Sequence, residues 1–269
     1  MSWTRTRRRA ALHDIAAQRI LLLDGAMGTM LQRAKLGEAD FRGTRFAAHG
    51  TDVKGNNDLL CLTQPQLVQE IHTAYLRAGA DIVTSNSFTA NGLAQADFGM
   101  SELAYEMHRE AARLARAAAD AAERAEPSRP RYVAGSLGPT PRMASMTSNV
   151  EDAAERAIDY DGLKATYSEG ARGLVDGGAD ILLVETVIDT LNAKAAVHAI
   201  ADLQEEQGTS LPLIVSGTIA DRSGRILAGQ TVEAFWHALR HAEPFAVGLN
   251  CAMGAEALRP WLADLAAVA

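Results

Sequence analysis

The chain has 269 residues, 26 Lys and Arg against 33 Asp and Glu, a formal net charge of −7, and two cysteines, Cys61 and Cys251. The acidic balance argues against a nucleic-acid partner, and two cysteines make neither a disulfide framework nor a four-thiolate zinc site. Apolar residues at 48% and charged residues at 22% describe an ordinary globular mixture, and the length suits a single α/β barrel domain of about 250 residues.

Residues 1–19 read as a basic N-terminal extension. Arg5, Arg7, Arg8 and Arg9 are followed by Ala-Ala-Leu-His-Asp and not by the apolar segment of about 7–15 residues that a secretory signal carries. The segment is expected to be a frayed tail, with an Arg-rich transit peptide as the alternative. No apolar run reaches the ~18 residues needed to span a bilayer, so no membrane partner and a cytoplasmic location are expected.

Six short β-rich runs then alternate with helical stretches: Ile20–Leu23, Asp81–Thr84, Tyr132–Ser136, Ile181–Val184, Leu213–Ser216 and Phe245–Leu249. Between them, Thr63-Gln64-Pro65-Gln66 reads as an N-cap, an early proline and a capping-box glutamine. The helix that follows carries Leu67, Ile71, Tyr75 and Leu76. Leu103, Met107, Ala111 and Leu114 lie at helical spacing in a segment ending near Glu126-Pro127. Ser148-Asn149-Val150-Glu151 offers a second capping box. An internal echo joins Ala78-Gly79-Ala80-Asp81-Ile82-Val83 to Gly177-Gly178-Ala179-Asp180-Ile181-Leu182. In both, a glycine ends a helix and the chain turns into a strand.

Strands alternating with helices imply parallel βαβ units in one α/β domain, residues 20–269. Polar or loop-forming residues follow all six strands: Asp24-Gly25, Ser85-Asn86-Ser87, Leu137-Gly138-Pro139, Glu185-Thr186, Gly217-Thr218 and Asn250-Cys251. A barrel points every strand's C-terminal end at one mouth, whereas an open sheet concentrates such residues at a switch point. The first turn also lacks the G-x-G-x-x-G spacing of dinucleotide sites. The pattern predicts a TIM-type barrel.

Asp24 and Glu185 would then be two carboxylates at the same mouth, able to hold an ammonium group or act as acid and base. A helix cap or a salt bridge is the plainer role for either. Asn86 between Ser85 and Ser87 offers short hydrogen-bonding groups, which also suit a turn. Cys251 follows a strand directly and is a candidate ligand or nucleophile, although a cysteine is often only a small packed hydrophobe. His237 and His241 lack the glutamate of H-E-x-x-H and precede the sixth strand, so they read as surface residues. Cys61, before a helix cap, reads as packing.

The same residues carry a resemblance. Leu23-Asp24-Gly25-Ala26-Met27-Gly28-Thr29, Lys54-Gly55-Asn56-Asn57-Asp58-Leu59-Leu60, Ala80-Asp81-Ile82-Val83-Thr84-Ser85-Asn86-Ser87-Phe88, Gly135-Ser136-Leu137-Gly138-Pro139, Val184-Glu185-Thr186, Val215-Ser216-Gly217-Thr218-Ile219 and Gly248-Leu249-Asn250-Cys251-Ala252-Met253-Gly254 resemble, in order, the homocysteine-binding region of cobalamin-dependent methionine synthases. The likeness covers residues 20–262. It implies a (β/α)8 barrel that binds homocysteine as a thiolate on zinc and passes it a methyl group from methylcobalamin, giving methionine. The zinc of that family is held by a cysteine matching Cys251 and by an adjacent cysteine pair in a Gly-Gly-Cys-Cys-Gly motif. Asp24 and Glu185 match positions that contact the substrate amino group, and Gly25, Ser85, Asn86 and Ser87 fall in its substrate-binding segments. Cobalamin-binding and folate-binding modules are the implied partners. Betaine- or S-methylmethionine-dependent homocysteine methyltransferases, or a non-catalytic barrel fragment, are the alternatives.

The chain departs from that pattern in having no Cys-Cys pair. About six of eight βα units are accounted for, at ~31 residues per unit. The expectation is therefore a barrel lacking its C-terminal units, part of a longer methyltransferase, with the 269-residue piece inactive alone.

Overall fold

The computed structural model describes residues 3–147, 149, 151–152 and 154–269. The chain divides into two compact units, residues 1–136 with 172–181, and residues 137–171 with 182–269. The first contains α1 (Arg5–Gln18), α2 (Met27–Arg33), α3 (Glu38–Arg42), α4 (Leu60–Thr63), α5 (Pro65–Ala78), β1 (Ile82–Thr84), α6 (Gly92–Gln95), α7 (Ala104–Ala125), β2 (Tyr132–Leu137) and the end of α8 (Tyr160–Gly177). The second contains the start of α8, then β3 (Ile181–Val187), α9 (Thr190–Gln207), β4 (Leu213–Gly217), α10 (Val232–Leu239), β5 (Ala246–Leu249) and α11 (Ala255–Val268). No helix among the described residues is long and apolar enough to cross a membrane.

In the first unit β1 and β2 run parallel, with Ile82 opposite Tyr132 and Thr84 opposite Ala134. In the second, β3 pairs parallel with β4 and β4 with β5, placing Val215 opposite Val184 and Val247. The strands alternate with helices, and the fold is α/β with parallel strands, as the sequence predicts. Five of the six expected strands form.

Ile20–Leu23 differs. It contributes a single parallel bridge, Leu23 to Ile82, although the Leu22 carbonyl does accept from the Asp81 and Ile82 amides. The reason is local: the Leu22 amide donates to the Asp81 carboxylate at 3.0 Å rather than to a strand. Ile20, Leu22 and Leu23 are exposed.

The basic N-terminal segment is not frayed either. Thr4 caps α1 by accepting from the Arg7 amide, and Arg8 is buried against Asp180 at 2.9 Å and Glu123 at 3.1 Å. An arginine enters a core when carboxylates replace its water. Helix α5 starts at Pro65 and its N-cap is Gln64, not Thr63. Thr63 closes α4 instead, where its hydroxyl donates to the Leu59 carbonyl. The expected capping box at 148–151 lies partly outside the described residues.

The echo of the two strand starts has a structural basis. Gly79 and Gly178 both adopt left-handed φ, +113° and +104°. Each is followed by an alanine whose amide reaches back to a helix carbonyl, Ala80 to Tyr75 and Ala179 to Leu174. This closure needs a residue without a Cβ penalty at positive φ. The core of the first unit gathers Val53, Leu59, Leu60, Cys61, Val68, Met107, Ala111 and Leu114 under α5 and α7. That of the second includes Ile219, Ile226, Val232 and Leu265.

Candidate functional site

In the first unit the candidate residues follow the bridge at Leu23 and strand β1. Both oxygens of Asp24 accept from Thr84, Oδ2 from its amide and Oδ1 from its hydroxyl, each at 2.9 Å. The carboxylate is thus fixed to the strand end. Gly25 sits in close approach to Tyr75: a Cβ there would lie 2.8 Å from the Tyr75 ring, whose hydroxyl donates to the Ala26 carbonyl at 3.2 Å.

Ser85, Asn86 and Ser87 are all buried. The hydroxyls of Ser85 and Ser87 lie 2.8 Å apart. Ser85 Oγ accepts from the Ser136 amide and Ser87 Oγ donates to the Ser136 carbonyl, both at 2.9 Å. These serines therefore stitch the end of β1 to β2. The Asn86 amide donates to the Asn57 carbonyl at 2.8 Å, and Cys61 Sγ donates to the Asn86 carbonyl at 3.3 Å. Burial pushes the Cys61 thiol well above the ordinary range, which makes it an inert packing residue.

The Lys54–Leu60 stretch buttresses the same loop. Asn56 and Gln95 exchange amide hydrogen bonds at 2.7 and 3.2 Å. Asp58 accepts from the Thr89 amide and hydroxyl. Its burial raises the carboxyl to about 6 against the pull of those bonds.

In the second unit, Glu185 and Thr186 sit at the end of β3 where its register with β4 slips between Val184 and Val187. Such a bulge re-aims a side chain at a strand end. Thr186 has φ +57°, a left-handed conformation that costs a β-branched residue about 1–3 kcal/mol. Cys251 and Ala252, after β5, are also left-handed, at +42° and +57°. Cys251 is exposed. Its sulfur lies 3.4 Å from Thr218 Oγ1 and accepts from Asn250 Nδ2 at 3.3 Å. Glu185 is half-buried and borders a small cavity with Pro139, Tyr167, Asp189 and Asn192. The structure thus places Glu185 and Cys251 at strand ends of one unit, and Asp24 with Ser85–Ser87 at those of the other. His237 and His241 are exposed, as expected of surface residues.

A family model described as homocysteine S-methyltransferase matches residues 21–269. The chain belongs to the homocysteine S-methyltransferase family. Among solved structures it is similar to the homocysteine methyltransferase MmuM from Escherichia coli. The metallated form superimposes with a TM-score of 0.73 at 24% identity, covering 96% of this chain and 83% of that one. The oxidized form gives 0.74 at 24% identity, covering 96% and 82%, and the apo form 0.70 at 24%, covering 97% and 82%. At this identity the likeness is one of fold, and it makes the parallel α/β arrangement of this homocysteine S-methyltransferase family member TIM-type.

A zinc ion does not fit the residues present. Among the described residues no three His, Cys, Asp or Glu side chains come together as a metal-holding group. Cys251 has a hydroxyl and an amide as its polar neighbours, and a zinc site takes three or four Cys, His or carboxylate ligands. Sequence reasoning singled out Asp24 and Cys251 but not the bonds that engage them, from Thr84 to Asp24 and from Asn250 to Cys251. Each donor residue is adjacent to or paired with a singled-out residue, and only the pairing, which sequence does not show, marks it.

Proposed function

We propose that residues 20–269 are the homocysteine-binding barrel domain of a cytoplasmic methyltransferase, with 1–19 as its N-terminal extension. The reaction forms a bond between the homocysteine sulfur and a methyl carbon, breaks the bond from that carbon to its donor, and releases the thiol proton. The product is methionine. The family match over residues 21–269 carries this reading.

Asp24 and Glu185 supply carboxylates for the substrate ammonium, and Gly25, Ser85, Asn86 and Ser87 shape its binding segments. The hold of Thr84 on both Asp24 oxygens supports the first assignment, since a fixed carboxylate loses little freedom on binding. Cys251 is the one sulfur these segments offer to a zinc ion. The donor assigned by the methionine synthase resemblance is methylcobalamin, delivered with folate chemistry by other modules. The 269 residues alone are expected to be inactive.

Calorimetry with homocysteine tests the substrate assignment. Asp24→Asn and Glu185→Gln should each weaken binding about tenfold or more, the scale of one charge-assisted hydrogen bond. Unchanged affinity in both variants would overturn it. Methyl transfer by the complete encoded polypeptide, compared with methylcobalamin, betaine and S-methylmethionine, tests the donor. Turnover with betaine or S-methylmethionine alone would replace the cobalamin assignment.

A further inference from the structure

Asn250 uses its whole side-chain amide. Its Oδ1 accepts from the Thr186 amide at 3.2 Å and the Ser216 hydroxyl at 2.7 Å. Its Nδ2 donates to Thr186 Oγ1 at 2.8 Å and to Cys251 Sγ at 3.3 Å. Two lone pairs and two N–H groups are the full capacity of an amide, so one side chain ties the ends of β3, β4 and β5. The bonds fall where the backbone is least comfortable: Thr186 and Cys251 both have positive φ. Such conformations persist only when surrounding contacts over-determine them. Asn250 itself is anchored, its amide donating to the Gly217 carbonyl at 2.9 Å.

We infer that Asn250 is a positioning residue that couples the Glu185–Thr186 bulge to the Cys251 sulfur, so that the geometry of each depends on the other. The inference rests on the proposed function in taking Glu185 and Cys251 as groups of the substrate site. Aspartate would lose both N–H donors, alanine the whole bracket, and only an amide satisfies the four partners together.

The test reads Cys251 from a distance. Alkylation of Cys251 by iodoacetamide, followed by mass spectrometry at one fixed pH, uses buried Cys61 as an internal folding control. Thr186→Val keeps the shape and removes the hydroxyl that Asn250 Nδ2 engages. It should change the Cys251 rate about threefold or more, within the range of coupled contacts. Thr186→Ser, which keeps the hydroxyl, should restore the wild-type rate. In an Asn250→Ala background Thr186→Val should have no further effect. Equal rates for Thr186→Val and Thr186→Ser overturn the coupling, even if Asn250→Ala fails to fold, and so do additive effects in the cycle.

A second arm separates this outcome from failure of the proposed function. Methionine, the product, carries no thiol to consume the reagent. If it slows Cys251 alkylation while Thr186→Val does nothing, the site stands and the coupling falls. If Thr186→Val acts while methionine gives no protection at saturating concentration, the coupling stands and the assignment of Cys251 to the substrate site falls.

Discussion

Asp81 and Asp180 hold the same position in the two echoed strand starts, and each takes two arginines. Asp81 accepts from Arg19 at 2.7 and 2.8 Å and from Arg129 at 2.7 Å. Asp180 accepts from Arg8 at 2.9 Å and Arg116 at 2.7 Å. In each pair one arginine comes from the N-terminal segment, which docks α1 and the residue after it. Burial would raise the Asp81 carboxyl, but the Arg19 hydrogen bond, the Leu22 amide and Arg129 together hold it well below the usual carboxylate range.

The Asp180 cluster is the drier of the two, with side-chain exposures of 6% for Arg8, 7% for Glu123 and 1% for Asp180. Arg8→Met should therefore cost about 3 kcal/mol, because it leaves the buried Asp180 and Glu123 carboxylates to share Arg116 alone. Urea unfolding reads the loss. A cost under about 1 kcal/mol, the size of a surface pair, would show that water already screens the cluster.

The glycine-ended helices and the strands after them were legible because Gly79 and Gly178 act through backbone conformation, which the sequence states directly. The placement of Asp24, Glu185 and Cys251 at strand ends was legible because short apolar runs followed by polar residues mark where parallel strands stop. The docking of α1 was not, since an Arg-rich segment reads as solvated until its carboxylate partners, more than a hundred residues away, are in place. The roles of Ser85 and Ser87 were blurred for a similar reason. Their hydroxyls serve Ser136 on the neighbouring strand, and residue type alone does not separate a ligand contact from a strand stitch.

His72 and His108 should make the fold acid-sensitive. Burial pushes both imidazoles down to about 4, in His108 against a hydrogen bond to the Ala104 carbonyl. The unfolded chain, titrating near 6.5, binds more protons than the folded one between those values. Stability is therefore full above pH ~6.5 and falls as pH drops toward ~4, by about 3 kcal/mol for each histidine. Asp58 opposes this: its carboxyl, raised to about 6, makes the folded state the better proton binder between pH ~4 and ~6, worth about 3 kcal/mol the other way. Among the described residues His72 has no hydrogen-bond partner on either ring nitrogen, so His72→Leu should be nearly neutral at pH 7. It should also remove most of the net loss from these three groups on acidification. Denaturant midpoints across this pH range check it, and an unchanged slope in the variant would exclude His72 as a source.

Gly173 carries a packing prediction in which two effects compete. Replacing a helical glycine by alanine ordinarily gains about 1 kcal/mol. Here the new Cβ would lie 2.6 Å from the Tyr105 carbonyl oxygen and 3.0 Å from the His108 Cβ. Backbone cannot swing aside as a flexible side chain does, so α8 would have to move off α7, at about 1–3 kcal/mol. Gly173→Ala should lower the melting temperature. A rise would mean that the helices separate easily and that the close approach is not a constraint.

The 269-residue polypeptide should bind zinc weakly. Tight protein sites draw their free energy from several ligands acting on one ion, with thiolates formed by proton release. Around Cys251 the described residues provide one sulfur, with Thr218 and Asn250 as neutral neighbours. A dissociation constant weaker than about a micromolar is expected, insensitive to Cys61→Ser because that thiol is buried on the Asn86 carbonyl. Metal analysis after dialysis against a mild chelator decides it. One retained zinc per chain, lost in Cys251→Ala, would show that further ligands assemble on Cys251 within these residues, and would make the metal site complete where the geometry supplies a single thiolate.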